Sequence, residues 1–291
     1  MMANKRSHST GQYTTLDAIY LQPHSDDICF SLGARAARCH SGLMVTIFSL
    51  ANWVERRAIP IRPSPEEVTK LRIAEDRAFA EDAGLDVYFM GLPGASNLGW
   101  KSFDLSRLAD NRKRVEAPLL AELDRLSQVG ENGERPWLFC PAGIGRHVDH
   151  VAVRNVVADH RDQLSQHFRI AYYEDLHYSS RHRVRIIGLA RLFVCAGDAL
   201  RRWAFVLDRA DVEKKRQLIS HYASQIKTPT TNLRSYSPAV NFSYVPHEAI
   251  WTTEEPPADF REPPQQFDSG AFFGRLSQRL LLKQNIKMGE L

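Results

Sequence analysis

Three ionisable side chains, His24, Asp26 and Asp27, stand within four residues, directly after the apolar segment 18–21 that is typical of a buried strand. Ionisable groups at the end of a buried strand destabilise the fold unless they are paired or bind a metal. A helix is predicted from residue 28, and the positive end of a helix stabilises carboxylates. The cluster could therefore hold a cation or supply acid–base groups. The simpler alternative is an aspartate that caps the helix beside a solvated histidine.

A second cluster, His147, Asp149 and His150, follows another apolar segment at residues 137–140. The two histidines are three residues apart, a spacing that turns both rings to one side of a helix. Imidazole is a common metal ligand and, near neutral pH, an acid or a base. The alternative is a helix that is capped by Asp149, with histidines that have no chemical role.

Together the two clusters are more informative than either is alone. Parallel strands of one sheet bring the loops at their carboxyl ends to the same edge, so both clusters are expected there. One histidine and one aspartate from the first cluster and one histidine from the second give three protein ligands and an open fourth position, as in a catalytic zinc site. Asp26 and His147 then remain as a candidate base and a candidate proton donor. Iron(II) oxygenases share this ligand composition, but the βαβ pattern of the chain disfavours them.

Apolar segments and helix patterns alternate along much of the chain. Strands are predicted at residues 18–21, 44–50, 87–90, 137–140, 170–173 and 204–207. Helices are predicted at residues 28–40, 115–126, 151–160 and 211–222, and between a capping box at Ser64 and a closing Gly84. This alternation predicts an α/β fold: a Rossmann-like, mostly parallel sheet with helices on both faces and the site at the carboxyl ends of the strands.

The composition excludes several classes of protein. The chain has 291 residues, of which 43% are hydrophobic and 25% charged, and such proportions exclude a disordered or fibrous protein. It has 38 Lys and Arg against 34 Asp and Glu, a net charge of +4, and its basic residues are scattered, so no nucleic-acid surface is predicted. The four cysteines form no Cys-x-x-Cys pair, which disfavours a cysteine zinc site and a disulfide framework.

The paired motifs resemble those of a known family. Residues 24–27, His-Ser-Asp-Asp, are similar to the first signature of the PIG-L/LmbE-like zinc de-N-acetylases, His-Pro-Asp-Asp-Glu, and residues 147–150 fit their second, His-x-Asp-His. Arg72 and Glu75 match the Arg-x-x-Glu helix of the family. The resemblance extends over residues 18–178. Ser25 replaces the usual proline, and Ile28 replaces the usual glutamate, which is not a metal ligand in the family pattern.

The resemblance implies a ligand set and a cofactor. His24, Asp27 and His150 would hold Zn²⁺, with Fe²⁺ or another divalent metal as the alternative. It also assigns residues 16–232 to a PIG-L/LmbE-like deacetylase domain. Residues 1–15 would be a flexible N-terminus, and residues 233–291 an extension that packs on the same domain.

The resemblance also implies three catalytic roles. Asp26 would be the general base, and we expect it to be ionised beside the metal and the helix N-terminus. His147 would stabilise the oxyanion or protonate the leaving amine. Asp149 would form a hydrogen bond with a histidine ring and set its tautomer.

The function implied is removal of an N-acetyl group from an amino sugar, or from an amino-sugar intermediate of a natural product, by metal-activated water. The alternatives are an amidase for a larger acyl or thiol-conjugate amide and a non-catalytic sugar-binding protein. The expected partner is a small N-acetylated sugar, with no nucleic acid, and a homo-oligomer stays open. Charged residues interrupt the longest apolar stretch, 186–207, and no secretory signal is recognised, so a cytoplasmic protein without a membrane segment is expected.

Several other side chains are weaker candidates for substrate contacts. Core packing or solvent exposure is the simpler interpretation for each of them. They are Trp53, Tyr88 and Trp100 for stacking on a sugar ring, Arg56 and Arg57 for an anionic group, and Arg146 and His177 beside the motifs.

Overall fold

A single seven-stranded sheet organises the described part of the chain, in the order β3-β2-β1-β4-β5-β7-β6. The computed structural model describes residues 16–55, 63–127, 134–197, 199–226 and 246–262. The strands are β1 (Ala18–Gln22), β2 (Leu43–Thr46), β3 (Asp86–Phe89), β4 (Trp137–Pro141), β5 (Arg169–Tyr173), β6 (Arg201–Val206) and β7 (His247–Thr252). The helices are α1 (Asp27–Cys39), α2 (Pro65–Ala83), α3 (Leu108–Leu126), α4 (Val148–Asp159), α5 (Arg161–Leu164), α6 (His182–Ala196) and α7 (Arg209–Ser220).

Strands β1 to β5 are parallel to their neighbours, and β7 is antiparallel to both β5 and β6. Alternate residues of β1 enter the two cores: Ile19 and Leu21 pack with α3, α4 and α6, whereas Ala18 and Tyr20 pack with α1, α2 and α7. The predicted α/β fold, with a mostly parallel sheet and helices on both of its faces, is confirmed.

The start and the end of α2 follow directly from its sequence. Ser64 Oγ accepts a hydrogen bond from the Glu67 amide at 3.3 Å, and Glu67 Oε2 accepts one from the Ser64 amide at 2.8 Å. Pro65 takes the first helical position, where a missing N–H has no consequence. Gly84 ends the helix with a φ of 71°, a left-handed conformation that glycine adopts without strain. The capping box and the closing glycine that were predicted are both present.

The order of the strands reverses between β1 and β4. From β1 the chain builds outward to β2 and β3, and from β4 it builds outward to β5 on the other side. The loops that follow β1 and β4 therefore diverge, which opens a crevice at the carboxyl edge of the sheet. Both polar clusters lie in these two loops and in the first turns of α1 and α4, the helices that follow them.

Strand β7 was not predicted from the sequence. All six of its residues are buried, so it lacks the alternation that marks a half-exposed strand. Its interior includes Glu248, which accepts hydrogen bonds from Lys215 Nζ at 2.7 Å and from the amides of Ala34 and Arg35, each at 2.9 Å. Most of the extension expected at residues 233–291, and the N-terminus expected at 1–15, lie outside the described residues.

The described helices do not combine the length and the apolar character that crossing a membrane requires.

A buried carboxylate, Glu174, ties β5 to its neighbours directly beside the site. It accepts hydrogen bonds from Arg185 at 2.6 and 2.7 Å, from Arg202 Nε at 2.8 Å and from Trp251 Nε1 at 3.0 Å. Burial alone would raise the pKa of Glu174, but the two guanidinium groups outweigh it and lower that pKa below its usual value. Glu174 thus compensates two buried positive charges.

Glu174→Gln is expected to lower the free energy of unfolding by about 3–5 kcal/mol, because it removes the shared negative charge from two buried guanidinium groups. Urea unfolding measures this. Since the pKa of Glu174 is depressed in the folded state, the difference should be constant above the ordinary glutamate pKa of about 4.3 and shrink as the pH falls below it. The control is Glu213→Gln, which removes an exposed partner of Arg216 and should leave the unfolding midpoint unchanged. Equal stability of the wild type and Glu174→Gln would contradict the role of Glu174.

Candidate metal centre

The loops after β1 and β4 bring His24, Asp27 and His150 together. His24 Nδ1 lies 3.2 Å from His150 Nε2, and Asp27 Oδ2 lies 3.3 Å from His150 Nε2 and 3.7 Å from His24 Nδ1. Zinc bonds of about 2.0–2.1 Å at tetrahedral angles place ligand atoms about 3.3 Å apart. These three atoms therefore have the spacing and the chemistry of a zinc donor set.

His147 offers a second way to complete a ligand set. Ring nitrogens of His24, His147 and His150 lie within 4.8 Å of one another, so these three histidines could also hold a metal. In the set with Asp27 the three atoms lie 3.2, 3.3 and 3.7 Å apart, close to the tetrahedral spacing, and it joins a carboxylate to two histidines as zinc sites commonly do. We therefore favour His24, Asp27 and His150 as ligands and leave His147 beside them.

Asp149 orients the ring of His24. Asp149 Oδ2 lies 2.8 Å from His24 Nε2, so the opposite ring nitrogen, Nδ1, points toward His150. Asp149 also accepts hydrogen bonds from the Ala95 amide at 3.0 Å and from Asn111 Nδ2 at 2.7 Å. Although burial opposes ionisation, the hydrogen bond with His24 contributes to a pKa of Asp149 well below its usual range. A fixed, ionised carboxylate thus occupies one side of His24.

The alternative interpretation of the second cluster, in which Asp149 caps the helix, names the wrong residue. His147, not Asp149, is the N-cap of α4, and its Nδ1 accepts a hydrogen bond from the Asp149 amide at 3.3 Å. An imidazole that accepts through Nδ1 carries its hydrogen on Nε2 when it is neutral. Burial, and then the neighbouring histidines, lower the pKa of His147 well below its usual value. His147 is therefore a neutral imidazole with one N–H to donate.

Asp26 stands at the N-cap position of α1, but its side chain forms no capping hydrogen bond with any described residue. Its φ of 116° is a conformation that non-glycine residues rarely adopt, and such strain is typical of functional sites. Asp26 Oδ2 lies 3.3 Å from Arg72 Nη2, which also donates to the Ser25 carbonyl. Burial raises the pKa of Asp26 above its usual value, and Arg72 opposes this effect.

Asp175 was missed by the sequence reasoning. It follows β5 and places Oδ1 2.7 Å from His150 Nδ1. The sequence did carry a signal, because Glu174 and Asp175 are an acidic pair directly after a buried strand, as Asp26 and Asp27 are. Asn111 was also missed. It lies four residues before Val115, on the buried stripe of α3, where a polar side chain needs a partner.

A cavity of about 460 Å³ opens over the candidate ligands, a size suited to a small organic molecule. Asp26, His147 and all three favoured ligands line it. Trp53 and Phe103 stand in its wall with 53% and 55% of their surface exposed. Further apolar lining comes from Phe30, Phe48, Leu50 and Tyr178. The candidate metal centre therefore lies in a cavity with a polar floor and a partly apolar wall.

The weaker candidates separate into two groups. Trp53 and His177 line the cavity. Tyr88 instead packs against Arg125, and Trp100 packs against Arg107 and Arg114. Arg146 is not among the described residues that line the cavity, and Arg56 and Arg57 lie outside the described part of the chain.

Comparison with known proteins shows the fold. No protein-family model and no curated protein matches this chain. The A40926 pseudoaglycone deacetylase Dbv21 is similar, with a TM-score of 0.52 and 19% identity over 83% of this chain and 97% of its own. A deacetylase of teicoplanin biosynthesis, solved in complex with teicoplanin, has a TM-score of 0.56 and 17% identity over 81% and 97%. This chain has the fold of those deacetylases. The α/β fold predicted from the sequence is thus shared with solved deacetylases.

A third solved structure is less similar. It is the 4-carboxy-2-hydroxymuconate hydratase GalB from Pseudomonas putida KT2440, with a TM-score of 0.46 and 16% identity over 82% of this chain and 97% of its own.

The two candidate ligand sets make opposite predictions. Asp27→Ala is expected to lose bound zinc, because it removes one of three protein ligands, whereas His147→Ala should keep one zinc per chain. Zinc content after dialysis, measured by atomic emission, tests this. His160→Ala is the control, since His160 pairs with Glu116 away from the cavity. Zinc that stays in Asp27→Ala and leaves in His147→Ala would show that the three histidines are the ligands.

Proposed function

We propose that this protein is a metal-dependent hydrolase that removes the acetyl group from an N-acetylated amino sugar. The observation that carries the proposal is the tetrahedral spacing of His24 Nδ1, Asp27 Oδ2 and His150 Nε2 on the floor of a cavity that Asp26 and His147 also line. The fold shared with two deacetylases supports a deacetylation, and so do the two sequence motifs.

The three proposed ligands would hold one divalent cation, with zinc preferred for a set of nitrogen and carboxylate donors. When bound, zinc polarises a carbonyl and lowers the pKa of a coordinated water toward about 7. Because His24, Asp27 and His150 line the cavity, an acetyl group bound in the cavity would lie beside the cation.

Asp26 is the proposed general base. Its carboxylate is held beside the proposed ligands by Arg72, whose Nη2 lies 3.3 Å from Asp26 Oδ2, and its backbone has a φ of 116°. Burial raises the pKa of Asp26, which strengthens it as a proton acceptor, while Arg72 opposes that rise and a bound cation would also favour the ionised form. It would take a proton from the attacking water and pass it toward the amine that leaves.

His147 is the proposed donor to the oxygen that gains charge as water adds to the carbonyl. Since the hydrogen bond from the Asp149 amide occupies Nδ1, the Nε2–H group is the one that can donate. A neutral imidazole can stabilise an oxyanion by this hydrogen bond. Phe103 packs edge-on against the ring with their centroids 5.7 Å apart, which limits its rotation.

Asp26→Asn is expected to lower turnover by roughly 10²–10⁴-fold, the usual loss when an acid–base group is removed. It should keep one zinc per chain, because Asp26 is not a ligand. Deacetylation rate and zinc content are measured on the same preparation. Asp110→Asn is the control, since Asp110 pairs with Arg107 on the exposed start of α3. A wild-type rate in Asp26→Asn would refute its assignment as the base.

Acetate release from a panel of N-acetylated amino sugars tests the reaction itself. Release is expected from zinc-loaded protein, is expected to stop with a chelator and is expected to return with added zinc, because the ligands alone do not activate water. Absence of release from every amide in the panel by zinc-loaded protein would contradict the proposal.

A larger acyl amide is the second candidate substrate. The exposed apolar side chains of Leu50, Trp53 and Phe103 favour it, because a longer acyl chain could cover them. The same panel therefore includes each sugar with acetyl and with longer acyl groups. Faster release of the longer acids would show that the preferred substrate carries an acyl group larger than acetyl.

A further inference from the structure

Asp175 joins the end of β5 to the candidate metal centre. One carboxylate oxygen, Oδ1, lies 2.7 Å from His150 Nδ1, and the other, Oδ2, accepts a hydrogen bond from the Ile144 amide at 2.8 Å. Asp175 and His150 are both at least nine-tenths buried. Little of either side chain is exposed to solvent, so the contact between them is shielded from competition by water.

The contact decides which nitrogen of His150 faces the other ligands. An imidazole can bind a metal through only one nitrogen, and the group bonded to the other nitrogen selects it. A carboxylate at Nδ1 keeps the hydrogen on Nδ1, because an ionised carboxylate can only accept. The lone pair is then on Nε2, the atom that lies 3.3 Å from Asp27 Oδ2 and 3.2 Å from His24 Nδ1.

Asp175 is itself held from three sides. The Ile144 amide belongs to the loop between β4 and α4, so it fixes the carboxylate relative to the helix that carries His150. The Asp175 carbonyl accepts a hydrogen bond from the Ser179 amide at 2.9 Å. The next amide, that of Leu176, donates to Ser31 on α1 at 3.2 Å. The carboxylate therefore has little freedom to follow a ring that rotates.

We propose that Asp175 is a positioning residue of the metal centre: it fixes the tautomer and the ring orientation of His150, so that Nε2 is presented to the metal. The inference rests on the metal site of the proposed function, but not on the substrate or the reaction. Each proposed histidine ligand then has a carboxylate beside its ring: Asp149 beside His24 and Asp175 beside His150. Carboxylates in this position typically change metal affinity by 10–100-fold when they are removed.

A buried acid can also matter for stability alone, and Glu248 separates the two roles. Glu248 is buried as deeply as Asp175 and accepts hydrogen bonds from two backbone amides and from Lys215, without a contact to a proposed ligand. Glu248→Gln is therefore the matched control, in which a buried carboxylate becomes an amide of similar size away from the metal centre.

The test measures zinc affinity by competition with a chromogenic chelator, in the wild type, Asp175→Asn and Glu248→Gln. Asp175→Asn is expected to bind zinc 10–100-fold more weakly and to shift the visible absorption bands of bound Co²⁺, because an amide has one accepting oxygen and cannot accept from both the Ile144 amide and the ring of His150. Glu248→Gln is expected to have a lower melting temperature with unchanged zinc affinity and Co²⁺ spectrum. Unchanged affinity and spectrum in Asp175→Asn, or an equal loss in both variants, would overturn the proposal.

A measurement on the wild-type protein keeps the inference testable if Asp175→Asn does not fold. Long-range ¹H–¹⁵N spectra of the zinc-loaded, histidine-labelled protein report the tautomer of each ring, and the His150 signals are assigned from their absence in His150→Gln. Hydrogen on Nδ1 and zinc on Nε2 of His150 are expected. Zinc on Nδ1 would overturn the assignment.

The outcomes separate this inference from the reaction. Wild-type protein that binds zinc through His150 Nε2 but releases no acetate would refute the proposed function and support the role of Asp175. Wild-type protein that binds no zinc would overturn both.

Discussion

Parallel pairing sets Ile19 of β1 opposite Leu138 of β4, and Tyr20 opposite Phe139. The two strands therefore lie side by side and end at the same edge of the sheet. Beyond their ends the chain continues in opposite directions, toward β2 on one side and β5 on the other. Every candidate ligand depends on this arrangement. His24 and Asp27 come from the first loop and the first helical turn of α1, and His150 comes from the first turn of α4. If β1 and β4 were separated by another strand, about 4.8 Å would be added to each distance between their loops.

The same edge of the sheet concentrates buried charge, and the structure compensates it group by group. Asp26 lies against Arg72, Asp149 lies between His24 and Asn111, and Asp175 lies between His150 and a backbone amide. Unpaired, each buried carboxylate would cost several kcal/mol. When it is paired, each carboxylate also holds its partner in place. The contacts that offset the cost of burying charge therefore also determine the geometry of the site.

The sequence was sufficient for the parts of the molecule that depend on local rules. The alternation of apolar segments and helices predicted the parallel sheet, and Ser64, Pro65 and Gly84 predicted the ends of α2. The positions of the two motifs, each after a buried strand, predicted that they would meet. The features that the sequence did not predict depend on contacts between residues that are far apart in the chain. β7 has polar residues with buried partners, so its pattern is not that of a strand until Lys215 is placed beside Glu248. The sequence hints that Asn111 and Asp175 need partners, but the partners are identified only once Asp149 and His150 are in position.

The interior place of β7 has a consequence for the order in which the molecule can assemble. Thr252 Oγ1 donates to the Ile170 carbonyl, a contact between residues 82 positions apart, and β7 lies between β5 and β6. During synthesis, β6 is therefore made before β7, the strand that joins β6 to the rest of the sheet. Until β7 is synthesised, the edge of β5 is open and Lys215 lacks Glu248. Between the synthesis of β5, which ends at Tyr173, and that of β7, which ends at Thr252, the nascent protein thus exposes an unpaired strand edge, and such an edge favours association with other chains.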